Sequence, residues 1–232
     1  MKITVIGASG LIGTKLVDLL TAEGHEVVAA SRSSGVDVLT GEGLADALAG
    51  SAALVDVTNS PSFEDDPVME FFTKATTNVV AAAKEAGVGH YVVLSIVGVD
   101  GLPESGYMRA KVAQEKVLID SGLPYSIVRA TQFAEFTDAI TTSMTDGDEV
   151  RVPDALIQPV SADRVASDVA RAAVAAPLNG IVNIGGPQKI SFEQMARESL
   201  ARQGDDTKTV VVDPQARYFG TPLEQRSLVT PD

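Results

Sequence analysis

The chain has 232 residues, no cysteine, two histidines and a formal charge of 18 − 31 = −13. That length can bury a sizeable core, and the lack of thiols excludes disulfides, thiolate metal sites and cysteine nucleophiles. So acidic a balance, with no lysine- and arginine-rich stripe, argues against nucleic-acid and membrane partners, but not against a nucleotide cofactor held by local donors.

In chain order, the first strand is predicted over 2–8, "KITVIGA". Met1 leads into it without the basic and small-residue pattern of a secretion leader, so a cytoplasmic location is expected. Helices are predicted over 11–23, 42–49, 67–87 and 106–121, alternating with strands over 26–32, 53–59, 90–96 and 125–131. Several strands are apolar at consecutive positions, as in a sheet covered on both faces. The alternation then predicts an α/β fold, a doubly wound parallel sheet of Rossmann type. His25 lies in a helix-to-strand turn and His90 just before a strand; both read as structural or solvent-facing, and no metal site is expected. The most apolar run, around Tyr91–Val99, is far too short to cross a bilayer.

Past Thr131 the rhythm loosens. A turn and short strand over 146–154 precede a helix that opens at Ser161 or Asp163 and ends before Pro177. A strand over 181–187, a helix near 191–203 and a strand near 208–212 follow. The expected division is a dinucleotide-binding domain over 1–132 and a smaller α/β substrate lobe over 133–232, packed on the first.

Directly after the first strand comes "GASGLIG", with Gly7, Gly10 and Gly13 opening a helix around Ser9, Leu11 and Ile12. A helix N-terminus offers unpaired N–H groups and a positive dipole end, and glycines let backbone approach a pyrophosphate. The plain alternative is a tight turn with no ligand; the agreement of strand, glycines and helix favours a dinucleotide. The second strand ends in Ser31, Arg32 and Ser33 with no carboxylate. Hydroxyls and a guanidinium suit a 2′-phosphate, so NADP(H) is expected over NAD, the alternative being a solvated arginine. After the third strand, Val57 to Asn59, including Thr58, would pass over the adenosine half.

Ser95 is placed at the carboxyl edge of the fourth strand, where open α/β sheets bind ligands. Twelve residues later, "YMRAK" puts Tyr107 and Lys111 one helical turn apart. On a helical wheel they cluster with Gln114 and Leu118, while Arg109, Lys116 and Asp120 fall on the solvent side. A tyrosine near pKa 10 is a poor acid–base at neutral pH, and a nearby ammonium would favour its phenolate.

"VIGASGLIG", the strand ending in Ser95, "YMRAK" and "SGLPYSIVRATQF", in that order, resemble atypical short-chain dehydrogenases/reductases with an NmrA-like NAD(P)H-binding fold. The likeness runs from Met1 to about Phe136. It implies Ser95, Tyr107 and Lys111 as a catalytic triad, with Lys111 also holding the cofactor ribose. It implies Asp37 and Val38 at the adenine, and Thr131, Gln132 and Phe133 beside the nicotinamide and substrate. The implied activity is hydride transfer between NADP(H) and a small carbonyl or quinone-like molecule, by a monomer or homodimer. An NADP-binding redox sensor and a nucleotide-sugar epimerase or dehydratase are the alternatives. One position departs from the pattern: the family's relay asparagine falls near Phe72, with Asn78 out of register. Phe133, Phe136, Ile140 and Met144 form an apolar stripe that reads either as substrate pocket or as helix core, and Glu135 and Asp138 beside it read as a solvated face.

Overall fold

A computed structural model describes residues 1–231. Its first half alternates β1 (Lys2–Ile6), α1 (Leu11–Ala22), β2 (Glu26–Ala30), α2 (Leu44–Leu48), β3 (Ala53–Asp56), α3 (Asp65–Glu85), β4 (His90–Ile96), α4 (Gly106–Asp120) and β5 (Tyr125–Ala130). The second half adds α5 (Thr137–Ser143), β6 (Thr145–Asp146), β7 (Glu149–Val152), β8 (Leu156–Ile157), α6 (Ala162–Val174), β9 (Gly180–Ile184), β10 (Ile190–Ser191), α7 (Phe192–Gln203) and β11 (Thr209–Val212).

The central sheet is parallel throughout, in the order β2-β1-β3-β4-β5-β9. Its strands read as continuous apolar runs because both faces are covered. One face packs Leu54, Tyr91, Val93 and Ile127 against Phe72 and Val79 of α3 and Ala110 and Leu118 of α4. The other packs Val5, Val55, Val92 and Val128 against Leu16 of α1 and Val165 and Val169 of α6. This is the expected doubly wound α/β fold. The connections leave β1 toward β2 on one side and reach β3 on the other, so a ligand crevice opens between the carboxyl ends of β1 and β3.

Two expectations are adjusted. The second strand, expected to run to residue 32, stops at Ala30, and residues 31–43 form a short 3-10 turn and loops. Val36 and Val38 turn inward to the core, and Asn78 of α3 donates its amide to the Val38 and Leu39 carbonyls at 2.9 and 3.0 Å. That pins the irregular loop and gives Asn78 a structural task. The division near residue 132 is crossed by the sheet, since α6 covers one face and β9 pairs with β5. The remaining downstream elements make the lobe, whose core holds Ile140, Met144, Val150, Ile157, Phe192 and Leu228 and also takes in Met108 of α4.

Ile140 and Met144 are therefore core residues, while Phe136 is 49% exposed and stacks on Phe133 with ring centroids 5.6 Å apart. Glu135 and Asp138 are more than a solvated face. The Glu135 carboxylate accepts from the Ala162 N–H at the start of α6, and Asp138 accepts from Ser199 and Arg202 of α7. His90 is a core histidine, its Nε2 bonded to Ser126 Oγ at 2.9 Å.

Candidate active site

The glycine-rich loop follows β1 at the mouth of the crevice. Gly7 has φ +85°, and a Cβ there would stand 2.9 Å from the carbonyl of Val57, just past the end of neighbouring β3. At Gly13 a Cβ would stand 2.1 Å from the Gly7 carbonyl oxygen, so α1 lies against the loop more closely than any side chain permits. Gly10 caps α1 without a side-chain hydrogen bond, and no acidic residue occupies the first turn. The N–H groups and positive dipole end are thus left to a ligand, which fits a pyrophosphate. Ser9 and Leu11 are exposed at this turn, whereas the Ile12 side chain packs into the core and leaves only its backbone to the loop.

At the end of β2, Ser31 and Ser33 share a hydroxyl–hydroxyl contact of 2.8 Å, and the Ser31 N–H donates to Ser34 Oγ at 2.9 Å. Arg32 is exposed, its Nε 3.8 Å from the Asp37 carboxylate. The same carboxylate accepts from the Leu39 N–H at 2.7 Å, so Asp37 shapes the turn while lying beside the guanidinium. Val38 faces the core, leaving backbone alone to an adenine.

Beyond β3, Thr58 is turned inward. Its N–H and hydroxyl both donate to Asp56 Oδ1, at 2.9 and 2.7 Å, and the Tyr91 hydroxyl donates to Asp56 Oδ2 at 2.8 Å. Asn59 has a partner that its own segment does not announce: its Oδ1 accepts from the Tyr107 hydroxyl at 2.8 Å.

Ser95 follows Tyr91 and Val93 at alternate positions of β4, so it lies on the face covered by α3 and α4, where Tyr107 and Lys111 also reside. It is 3% exposed and its Oγ has no hydrogen-bond partner. Lys111 is buried. Its ammonium donates to the Leu94 carbonyl at 2.9 Å and to Gln114 Oε1, and lies 4.5 Å from the centre of the Phe72 ring. Burial lowers Lys111 to about 8, against the opposing pull of Asp56 and Glu115. Phe72 also meets the Tyr107 ring edge-on at 5.8 Å. Phe72, near which the relay asparagine is expected, thus touches both Tyr107 and Lys111. Tyr107 is pushed up to about 12 by burial, opposite to the depression expected from an adjacent ammonium.

Thr131 is tied down, its N–H to the Ile184 carbonyl and its hydroxyl to that of Gln158. Gln132 Oε1 is buried without a partner, a second orphan acceptor near the same sheet edge. Sequence reasoning missed Arg129 of β5, level with Ser95 in the sheet register. It forms a bidentate pair with buried Glu115 of α4 and a second with Asp100, fixing the α4 scaffold to the sheet. A charged residue inside an apolar strand, "SIVRA", was the available signal.

Fold, glycine loop and strand-edge polar groups define a dinucleotide-binding protein of Rossmann type. Residues 34–179 match the NAD(P)H-binding family, and the chain belongs to it, in its atypical short-chain, NmrA-like branch. It is 31% identical to a (4-alkanoyl-5-oxo-2,5-dihydrofuran-3-yl)methyl phosphate reductase of Streptomyces griseus, over 86% of this chain and 72% of that protein. It is 28% identical to a chloroplastic divinyl chlorophyllide a 8-vinyl-reductase of Cucumis sativus, over 81% of this chain and 53% of the other. A photosystem II assembly factor, Ycf39 of Synechocystis, is 24% identical over 58% of this chain and 46% of its own length. The chain thus spans about half the length of the last two. Among solved structures, a dTDP-glucose 4,6-dehydratase from Streptomyces venezuelae with NAD bound shares the fold at TM-score 0.75 and 20% identity, over 97% of this chain and 88% of that one. An NADPH-dependent quinone oxidoreductase from Escherichia coli does so at TM-score 0.66 and 22% identity, over 91% and 77%. Among the described residues no helix is long and apolar enough to cross a membrane.

Proposed function

We propose that the protein is an NADPH-dependent reductase of a small carbonyl or quinone-like substrate, with Tyr107 as proton donor. The observation that carries this reading is Ser95 Oγ, buried and without a partner, on the same sheet face as Tyr107 and Lys111. A buried hydroxyl left unsatisfied is costly in a folded protein unless a ligand completes it. The glycine loop and the α1 N-terminus would hold the pyrophosphate, and Ser31 and Arg32 the 2′-phosphate. NADPH, when bound, supplies the hydride. Ser95 Oγ donates a hydrogen bond to the substrate oxygen, and Tyr107 gives that oxygen its proton.

Burial pushes Tyr107 up to about 12, so its hydroxyl keeps its proton throughout the neutral range and is available to donate it. Asn59 keeps the hydroxyl oriented while it waits. Two of the relatives are also named reductases.

The second reading is an NADP-binding sensor without turnover. Phe72 packed against both Tyr107 and Lys111 favours it, because the resemblance expects the relay asparagine near this position and a phenyl ring cannot relay a proton. NADPH oxidation against a panel of quinones, aldehydes and ketones separates the two. Turnover is expected, with Tyr107→Phe lowering kcat by about a hundredfold or more while NADPH affinity stays within about threefold. Full activity in Tyr107→Phe would remove the proton-donor role. Tight NADPH binding with no turnover of any substrate would leave the sensor, and equal binding of NADH would remove the cofactor preference.

A further inference from the structure

One exposed aromatic ring lies against Tyr107, and a second is presented by the lobe core on which Tyr107 packs. Phe63, in the loop after β3, has its ring centroid 5.4 Å from that of Tyr107 yet is 67% exposed. The lobe core contains Tyr218, whose ring lies 4.8 Å from Phe219, which is 61% exposed.

The turn that carries Phe219 is built and braced. Tyr218 and Thr221 exchange backbone hydrogen bonds of 2.8 and 3.0 Å across it, leaving Phe219 at φ +45°. A residue with a Cβ and a ring adopts that left-handed conformation only at a cost, which glycine or asparagine would avoid. Arg217 ties the turn to the entrance of α4, donating to Glu104 at 2.8 Å and to the Gly220 carbonyl at 3.0 Å. Tyr218 is anchored from below by Phe192, 5.9 Å away. Backbone strain is thus accepted to hold a largely exposed ring edge-on against Tyr218.

The charges nearby narrow the ligand. Arg109 pairs with Asp65 at 2.5 Å, Arg217 with Glu104, and Arg129 with Asp100 and Glu115. These cations are already matched, and Lys111 is buried behind Phe72. A phosphate ester or a nucleotide-sugar would find none of them uncommitted, on a chain that already carries −13.

We propose that Phe63, against Tyr107, and Phe219, presented by the lobe core on which Tyr107 packs, are substrate-recognition residues, and that the substrate they select is planar, conjugated and uncharged. Offset stacking on exposed rings rewards a flat π-system and not a puckered one. The proposal rests on Tyr107 being the proton donor, and its test keeps the two apart.

The matched pair is benzaldehyde and cyclohexanecarbaldehyde, which present the same reacting group on a flat and a puckered ring. With NADPH, the wild-type protein is expected to favour benzaldehyde by about tenfold in kcat/KM. Phe63→Ala and Phe219→Gly should each reduce that preference to about twofold, through KM, with cyclohexanecarbaldehyde little changed. Phe219→Gly relieves the left-handed backbone, so its Tm should equal or exceed wild type, and lost selectivity then is not misfolding. No preference in wild type, or a preference that survives both substitutions, overturns the proposal. If neither aldehyde is turned over, the two rings are tested without catalysis by menadione quenching of tyrosine fluorescence, which no tryptophan obscures. A midpoint about tenfold higher in Phe219→Gly supports the recognition role, and an unchanged midpoint overturns it.

Discussion

Lys111 sits as a charge in an apolar layer, held by one carbonyl, one amide oxygen and the face of a phenyl ring. Its proton leaves at about 8 in the folded chain and at the ordinary 10.5 in the unfolded one. Between those values the unfolded chain binds more protons, so stability rises with pH as the buried charge is relieved. Urea denaturation at about pH 8 and about pH 10 should show wild type gaining on the order of 2 kcal/mol relative to Lys111→Met. An equal pH response in both proteins would remove Lys111 from the balance. Residue-scale features along one helix were legible in the sequence, because 3.6-residue periodicity puts Tyr107, Lys111 and Gln114 on the sheet-facing edge. The bond from Tyr107 to Asn59 was not legible. It joins residues 48 positions apart, and nothing in either segment's own pattern specifies the other.

A close element contact in the site is that of α1 against the glycine loop. A methyl at Gly13 would meet the Gly7 carbonyl at 2.1 Å and the Ala8 Cα at 2.7 Å, all backbone that cannot rotate aside. One at Gly10 would meet only the Gly7 oxygen, at 3.3 Å. Gly13→Ala should therefore cost about 3 kcal/mol and lower NADPH affinity more than tenfold, whereas Gly10→Ala should cost roughly a third as much. Thermal denaturation and NADPH titration of the two variants check the order, and comparable losses in both would contradict the packing. The spacing of the glycines and the strand before them made this element readable. The loop of residues 31–43 was harder, since Val36 and Val38 carry a strand's composition but spend it on plugging the core beside α3. Local propensity identified apolar residues there without identifying what they would pack on.

For the whole molecule, net charge and cofactor oppose each other. A chain at −13 repels an anionic dinucleotide at long range, while Arg32 and the α1 N-terminus attract it only at contact. NADPH association measured by stopped flow should accelerate severalfold between roughly 10 and 100 mM salt, the reverse of a basic nucleotide-binding protein. A rate that falls with salt would mean that local attraction governs the encounter. The order of the sheet also belongs to this scale. The apolar strand over 180–184 was readable as a strand, but no local signal distinguished a place in the lobe from a place beside β5. That pairing has a consequence during synthesis. A growing chain that has delivered β5 presents the open edge of an apolar parallel sheet until residues 131–179 have also been made. At about 5–20 residues per second that exposure lasts several seconds, so the first part of the lobe, α5 to β8, is translated while the sheet it interrupts is still unfinished and open to mispairing.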